Sequence, residues 1–108
     1  MNIDKIKQLA EIAFNIVLAD RRHLHKNPEL SFKEFQTQQY VWERLDEIGI
    51  SNKKKIAETG IIAMIEGKNP SAKIIALRAD MDALPIQETN KTDYVSQNAG
   101  VMHACGHD

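Results

Sequence analysis

Residues 103–108 read His103-Ala104-Cys105-Gly106-His107-Asp108. An extended backbone alternates its side chains, so His103, Cys105 and His107 would face one way. A thiolate and a neutral imidazole are ordinary ligands of a borderline-soft divalent metal. Gly106 permits backbone angles that close approach of neighbouring ligands demands, and Asp108 could orient a ligand histidine from behind. Upstream lies a second pair, Asp80-Met81-Asp82. On extended backbone these two carboxylates share a side, and they repel unless a cation or hydrogen-bond donors hold them. Both motifs have plain structural alternatives. A lone cysteine is more often inert and buried, and a lone D-x-D is more often a solvated strand end. The H-x-C-x-H-D run taken as a unit favours the metal. A cysteine nucleophile is the weaker chemical reading, because it needs a histidine within reach of the sulfur. His107 is badly placed for that task, and His23 or His25 would have to approach from elsewhere.

These residues need elements to carry them. Ile3, Ile6, Ala10, Ala13 and Val17 recur in steps of three and four, widened by Leu9, Ile12 and Ile16, which predicts a helix over 3–26. It ends at Asn27-Pro28, since the residue before proline is pushed out of the helical region. Ser31-Phe32-Lys33-Glu34 reads as a capping box for a second helix over 32–48, with Gly49 at its C-terminal end. From residue 50 the period changes. Lys53 to Ile56 reads as a short exposed strand, Thr59-Gly60 as a turn and Ile61 to Ile65 as an apolar strand, with Gly67 to Ser71 a loop. Lys73 to Leu77 is β-branched and apolar, the pattern of a strand buried on both faces. Residues 61–66 and 73–79 are therefore expected to be neighbours in one sheet, which delivers Asp80 and Asp82 at a strand's carboxyl end, where α/β folds gather their chemistry. Gln87 to Gly100 reads as a loop. The expected class is α/β, with N-terminal helices packed on a mixed β-sheet.

Composition narrows the partners. The chain has 108 residues, 14 Lys+Arg against 15 Asp+Glu and a net charge of −1. That balance argues against nucleic acid and against an anionic membrane surface. Lys53-Lys54-Lys55 reads as a solvated strand edge that discourages pairing. No apolar run approaches the length of a membrane span, and the polar, acid-containing N-terminus does not read as a signal peptide. A single cysteine fits a reducing, cytoplasmic compartment.

Three segments then occur in a telling order: Arg21 to Phe32 (RRHLHKNPELSF), Leu77 to Ile86 (LRADMDALPI) and Met102 to Asp108 (MHACGHD). Together they resemble the N-terminal part of the metal-dependent amidohydrolases of the aminoacylase/carboxypeptidase family, across essentially the whole chain. That group includes N-acyl-amino-acid amidohydrolases, hippurate hydrolase and N-acetyldiaminopimelate deacetylase. The resemblance implies a zinc-exopeptidase-like catalytic domain that hydrolyses the amide bond of small N-acyl amino acids or short peptides with two divalent ions, Zn, Mn, Co or Ni. Cys105 and His107 match the family's metal ligands. Asp82 matches its catalytic aspartate, while Asp80 stands where wider relatives carry a ligand histidine, which leaves its role open. His25 and Glu29 belong to the N-terminal signature and read as structural, helix-end residues. The family's general-base glutamate, further ligands and dimerisation domain lie beyond the C-G-H-D motif, with homo-oligomerisation of the full-length form. The 108 residues alone are thus expected to be inactive, and a non-catalytic metal-binding or interaction fragment is the alternative reading.

Overall fold

The computed structural model describes residues 2–106. Two helices lead, α1 over Ile3–Lys26 and α2 over Phe35–Glu47, followed by strands β1 over Lys53–Ile56 and β2 over Gly60–Ala63. Asn2 caps α1, its side-chain oxygen accepting from the amides of Asp4 and Lys5 at 3.0 and 3.4 Å. At the other end Asn27 turns back and donates its side-chain amide to the His23 carbonyl at 2.8 Å. The helix ends where the Asn-Pro step requires it to.

The second helix departs from expectation at its start. It begins at Phe35, and the Ser31/Glu34 capping box does not form. Glu29 does the capping from outside the helix. Its carboxylate accepts from the Gln36 amide at 3.2 Å, and from the Thr37 amide and hydroxyl at 2.6 Å each. A carboxylate at this pole is favoured by the helix dipole as well as by the unsatisfied amides. Glu34 is released to accept from the Thr59 hydroxyl at 2.6 Å, and Ser31 to reach the Asp80–Asp82 segment.

Between the helices the contacts are polar and aromatic. Tyr40 donates to Asp20 at 2.6 Å, and the Arg44 guanidinium forks onto the same carboxylate at 2.9 and 3.2 Å. Burial, together with the hydrogen bond and negative charge of Asp20, pushes the Tyr40 phenol up to about 12. The His23 ring stacks on Tyr40 at 3.9 Å.

Strands β1 and β2 form an antiparallel hairpin, with Lys53 opposite Ala63 and Ile56 opposite Gly60. Its turn holds Ala57 and Glu58 at φ of 46° and 64°, an arrangement unfavourable for residues with a side chain. Buried Gln38 of α2 pins that turn, donating to the carbonyls of Glu58 and Gly60 at 3.1 and 2.9 Å. The lysines of β1 serve the fold. Lys53 pairs with Asp46 and lies 4.5 Å over the Trp42 ring, with Lys55 at 5.6 Å.

The expected pairing of 61–66 with 73–79 is not present. Among the described residues, 73–79 joins no ladder. Ile75 and Leu77 are 84% and 97% exposed, the opposite of a strand buried on both faces. An apolar run specifies burial only when strands flank it and helices cover it, and here neither happens. The same holds for α1, whose apolar stripe from Ile3 to Val17 is exposed. The radius of gyration is 16.0 Å, against about 13 Å for a self-contained domain of this length. The accessible surface is 8793 Å², where a compact chain of this mass would show about 6,100 Å². The helices and small sheet are part of an α/β layer with one side uncovered. No helix among the described residues is long and apolar enough to cross a membrane.

These contrasts separate two substitutions. Gln38→Ala should cost about 1–3 kcal/mol, because it removes two part-buried hydrogen bonds that hold the hairpin turn. Leu77→Ala should stay within about 0.5 kcal/mol in the 108-residue chain, where a core leucine would cost about 2–5 kcal/mol. Urea unfolding of the two variants checks the ranking.

Candidate metal-hydrolase site

Three short stretches of backbone converge where the chemistry-bearing residues lie. The Ala83 amide donates to the Glu29 carbonyl at 2.8 Å, forming a parallel bridge between Leu30 and Ala83. On the other side Leu84 and Met102 exchange amide-to-carbonyl bonds of 2.9 and 3.1 Å in an antiparallel bridge. Pairing of both senses thus surrounds Ala83, which is 3% exposed. Small size is what lets the three backbones approach this closely. Asp82 sits one residue before that crossing, and Cys105 three residues beyond Met102.

The two aspartates take different partners. Asp82 is half-buried and accepts from the Ser31 hydroxyl at 2.9 Å through Oδ2. Asp80 pairs with Arg78 at 2.6 Å. It also lines a cavity of about 290 Å³ with Asp20, Arg21, His25 and His103. Cys105 is half-buried. His107 and Asp108 lie outside the described residues, so their predicted roles as metal ligand and orienting group have no structural description here. Among the described residues no three His, Cys, Asp or Glu side chains gather as a metal-binding group.

One residue that pattern reading passed over organises the neighbourhood. Glu88 lies in the polar loop, yet its side chain is only 1% exposed. It accepts from the Ser96 amide at 2.6 Å, from His25 Nε2 at 2.9 Å and from Asn90 at 3.1 Å. The Ser96 amide, then His25, then Asn90 outweigh burial and hold its carboxyl at about 2, well below the ordinary 4.5. Ser96 passes the constraint on, donating its hydroxyl to the Val101 carbonyl at 2.7 Å, one residue before the Leu84–Met102 bridge. His25 is flanked edge-on by Tyr94 and lies 6.4 Å, ring to ring, from His103. The helix-end role expected for His25 and Glu29 therefore takes a definite form: each fixes a segment that leads into the site. A lone glutamate in a polar run carries no periodic signal, which is why Glu88 was not legible beforehand.

With this geometry in view, the chain can be set beside known proteins. Residues 76–108 match the model of peptidase family M20/M25/M40. Over all 108 residues the chain is 47% identical to an N-acyl-L-amino acid amidohydrolase of Geobacillus stearothermophilus, covering 29% of that protein. It is 42% identical over 107 residues to thermostable carboxypeptidase 2 of Saccharolobus solfataricus, covering 27% of it. The fold superposes on the crystal structure of the Bacillus subtilis YXEP protein, described as a dinuclear metal binding peptidase of family M20. The TM-score is 0.82 at 40% identity, over 90% of this chain and 27% of that one. The chain is thus similar to members of this peptidase family over nearly all of its length, and it spans little more than a quarter of the length of these relatives.

The Glu88 cluster makes a prediction about acid stability. Its carboxyl is lower in the folded chain than in the unfolded one, so the stabilisation is complete above pH 4.5 and is lost as pH falls towards about 2. Glu88→Gln should be less stable at neutral pH and should lack this segment of the pH dependence, as read from melting temperatures between pH 2 and 6.

Proposed function

We propose that these residues form the N-terminal portion of the catalytic domain of an enzyme that hydrolyses the amide bond of N-acyl amino acids or short peptides at a two-metal centre. The rest of that domain and a dimerisation domain would complete it. The observation that carries this reading is the Leu84–Met102 bridge, which fastens the segment bearing Asp82 to the segment bearing Cys105. The identity with an amidohydrolase over the full 108 residues supports it. A half-buried thiol and a half-buried carboxylate on bridged segments are donors suited to a soft or borderline divalent ion rather than to magnesium. Cys105 and His107 would hold the metal. When bound, it would supply an acidified water and polarisation of the scissile carbonyl.

This chain's own residues have distinct tasks in that scheme. Cys105 would hold the ion through its sulfur. Asp82, fixed by Ser31, offers its carboxylate to a ligand imidazole, setting that ring's tautomer and raising its basicity. Asp80 is tied to Arg78 and is assigned the lesser role. Two protein donors fall short of the three that a catalytic zinc usually has, so the 108 residues by themselves are read as inactive. The single cysteine supports a reducing, cytoplasmic setting.

Two measurements on the intact natural protein test the reading. Cys105→Ala should lose bound metal and turnover of an N-acetyl amino acid together; wild-type metal content by mass spectrometry would refute it. Asp82→Asn should lower activity ~10–100-fold, with a smaller effect from Asp80→Asn. The reverse ranking in steady-state kinetics would exchange the two aspartates' roles.

A further inference from the structure

The Ser31 hydroxyl has a longer reach than its place in the sequence suggests. It lies 51 residues before Asp82, and its Oγ donates to Asp82 Oδ2 at 2.9 Å. This contact is specified by backbone on both sides. The Leu30–Ala83 bridge and the bond from the Ala83 amide to the Glu29 carbonyl fix the register of the two segments just beside it. Beyond Ser31 the chain turns sharply, with the Lys33 amide donating to the Leu30 carbonyl at 2.9 Å. That turn holds Phe32 at φ 61°, a left-handed conformation that is costly for an aromatic residue. Such strain persists only where surrounding contacts over-determine the backbone, and it clusters at functional sites. The capping alternative, in which Ser31 would bond the Glu34 amide, has been given up in favour of Asp82.

We infer that Ser31 is a positioning residue for Asp82: by occupying Oδ2 it fixes the rotation of the carboxylate, so that Oδ1 is presented to a metal-ligating imidazole. This rests on the role proposed for Asp82 above. A carboxylate held by one donor no longer turns freely about its Cβ–Cγ bond, and the partner ring meets a defined acceptor instead of an averaged one. Because the serine acts through Asp82 and not on the substrate, its loss should fall on kcat and metal affinity and leave KM alone.

The experiment compares Ser31→Ala, Ser31→Thr and Asp82→Asn in the intact natural protein. Zn²⁺ affinity is read by competition with a chelating dye, and kcat and KM on an N-acetyl amino acid. Ser31→Ala should bind Zn²⁺ ~10-fold more weakly, the low end for a group that supports a ligand's partner, and lose a similar factor in kcat at constant KM. Ser31→Thr, which keeps the hydroxyl and has room for its methyl at this exposed position, should restore both. Wild-type affinity and kcat in Ser31→Ala, with Asp82→Asn impaired, overturn the inference and leave the reading of Asp82 standing. A loss that threonine does not restore overturns it too, since it marks a packing effect. If Asp82→Asn itself is unimpaired, the role of Asp82 falls and this inference with it.

Discussion

A carboxylate cannot be taken out of water without donors to replace the water, and the Glu88 side chain is almost wholly enclosed. Its donors come from the end of α1, through His25, and from the loop that follows, through Asn90 and Ser96. The requirement is severe: removing one charged-group hydrogen bond of this kind forfeits about 1.5–3 kcal/mol. The polar stretch from 88 to 101 is therefore as determined as a helix, though it has no regular structure. Through Ser96 and Val101 the constraint reaches Met102, and through Met102 the segment that carries Cys105.

The same logic recurs across the molecule. The buried side chains include Glu34, Thr37, Gln38, Thr59 and Glu88, while the buried apolar ones are the small Ala83, Val101 and Pro28. Among the described residues no leucine or isoleucine is fully buried. What orders these residues is a set of paired polar groups, each worth about 1 kcal/mol net but each specifying its partner. Glu29 on Thr37, Glu34 on Thr59 and Gln38 on Gly60 fasten α2 to what precedes and follows it. Asp20 does the same between the helices, through Tyr40 and Arg44.

Local patterns in the sequence disclosed the helices well, because period and Asn-Pro punctuation are local signals. The α/β class and the family resemblance were legible as well, and the motifs around Asp82 and Cys105 do lie on adjoining segments. Three features were hidden. The capping box at Ser31 failed because Glu29, two residues upstream, competes for the same helix pole. The strand expected over 73–79 failed because an apolar run encodes the wish to be buried but not the presence of a neighbour. Glu88 escaped notice because the burial of a single acid depends on partners 8 and 63 residues away, and no window of sequence contains both.

Exposure of Ile74, Ile75 and Leu77 has a consequence for the chain's behaviour in solution. A short β-branched stretch that joins no ladder among the described residues is a template onto which another copy can add as a strand. Its two ends carry Lys73 and Arg78, and stacking copies in register would bring like charges within a strand spacing of ~5 Å. Such flanking charges act as gatekeepers. The guard is uneven. Arg78 is already paired with Asp80 at 2.6 Å, so Lys73 bears most of the repulsion, and the residue that restrains self-association lies at the loop end of the stretch, away from the Asp80–Asp82 segment.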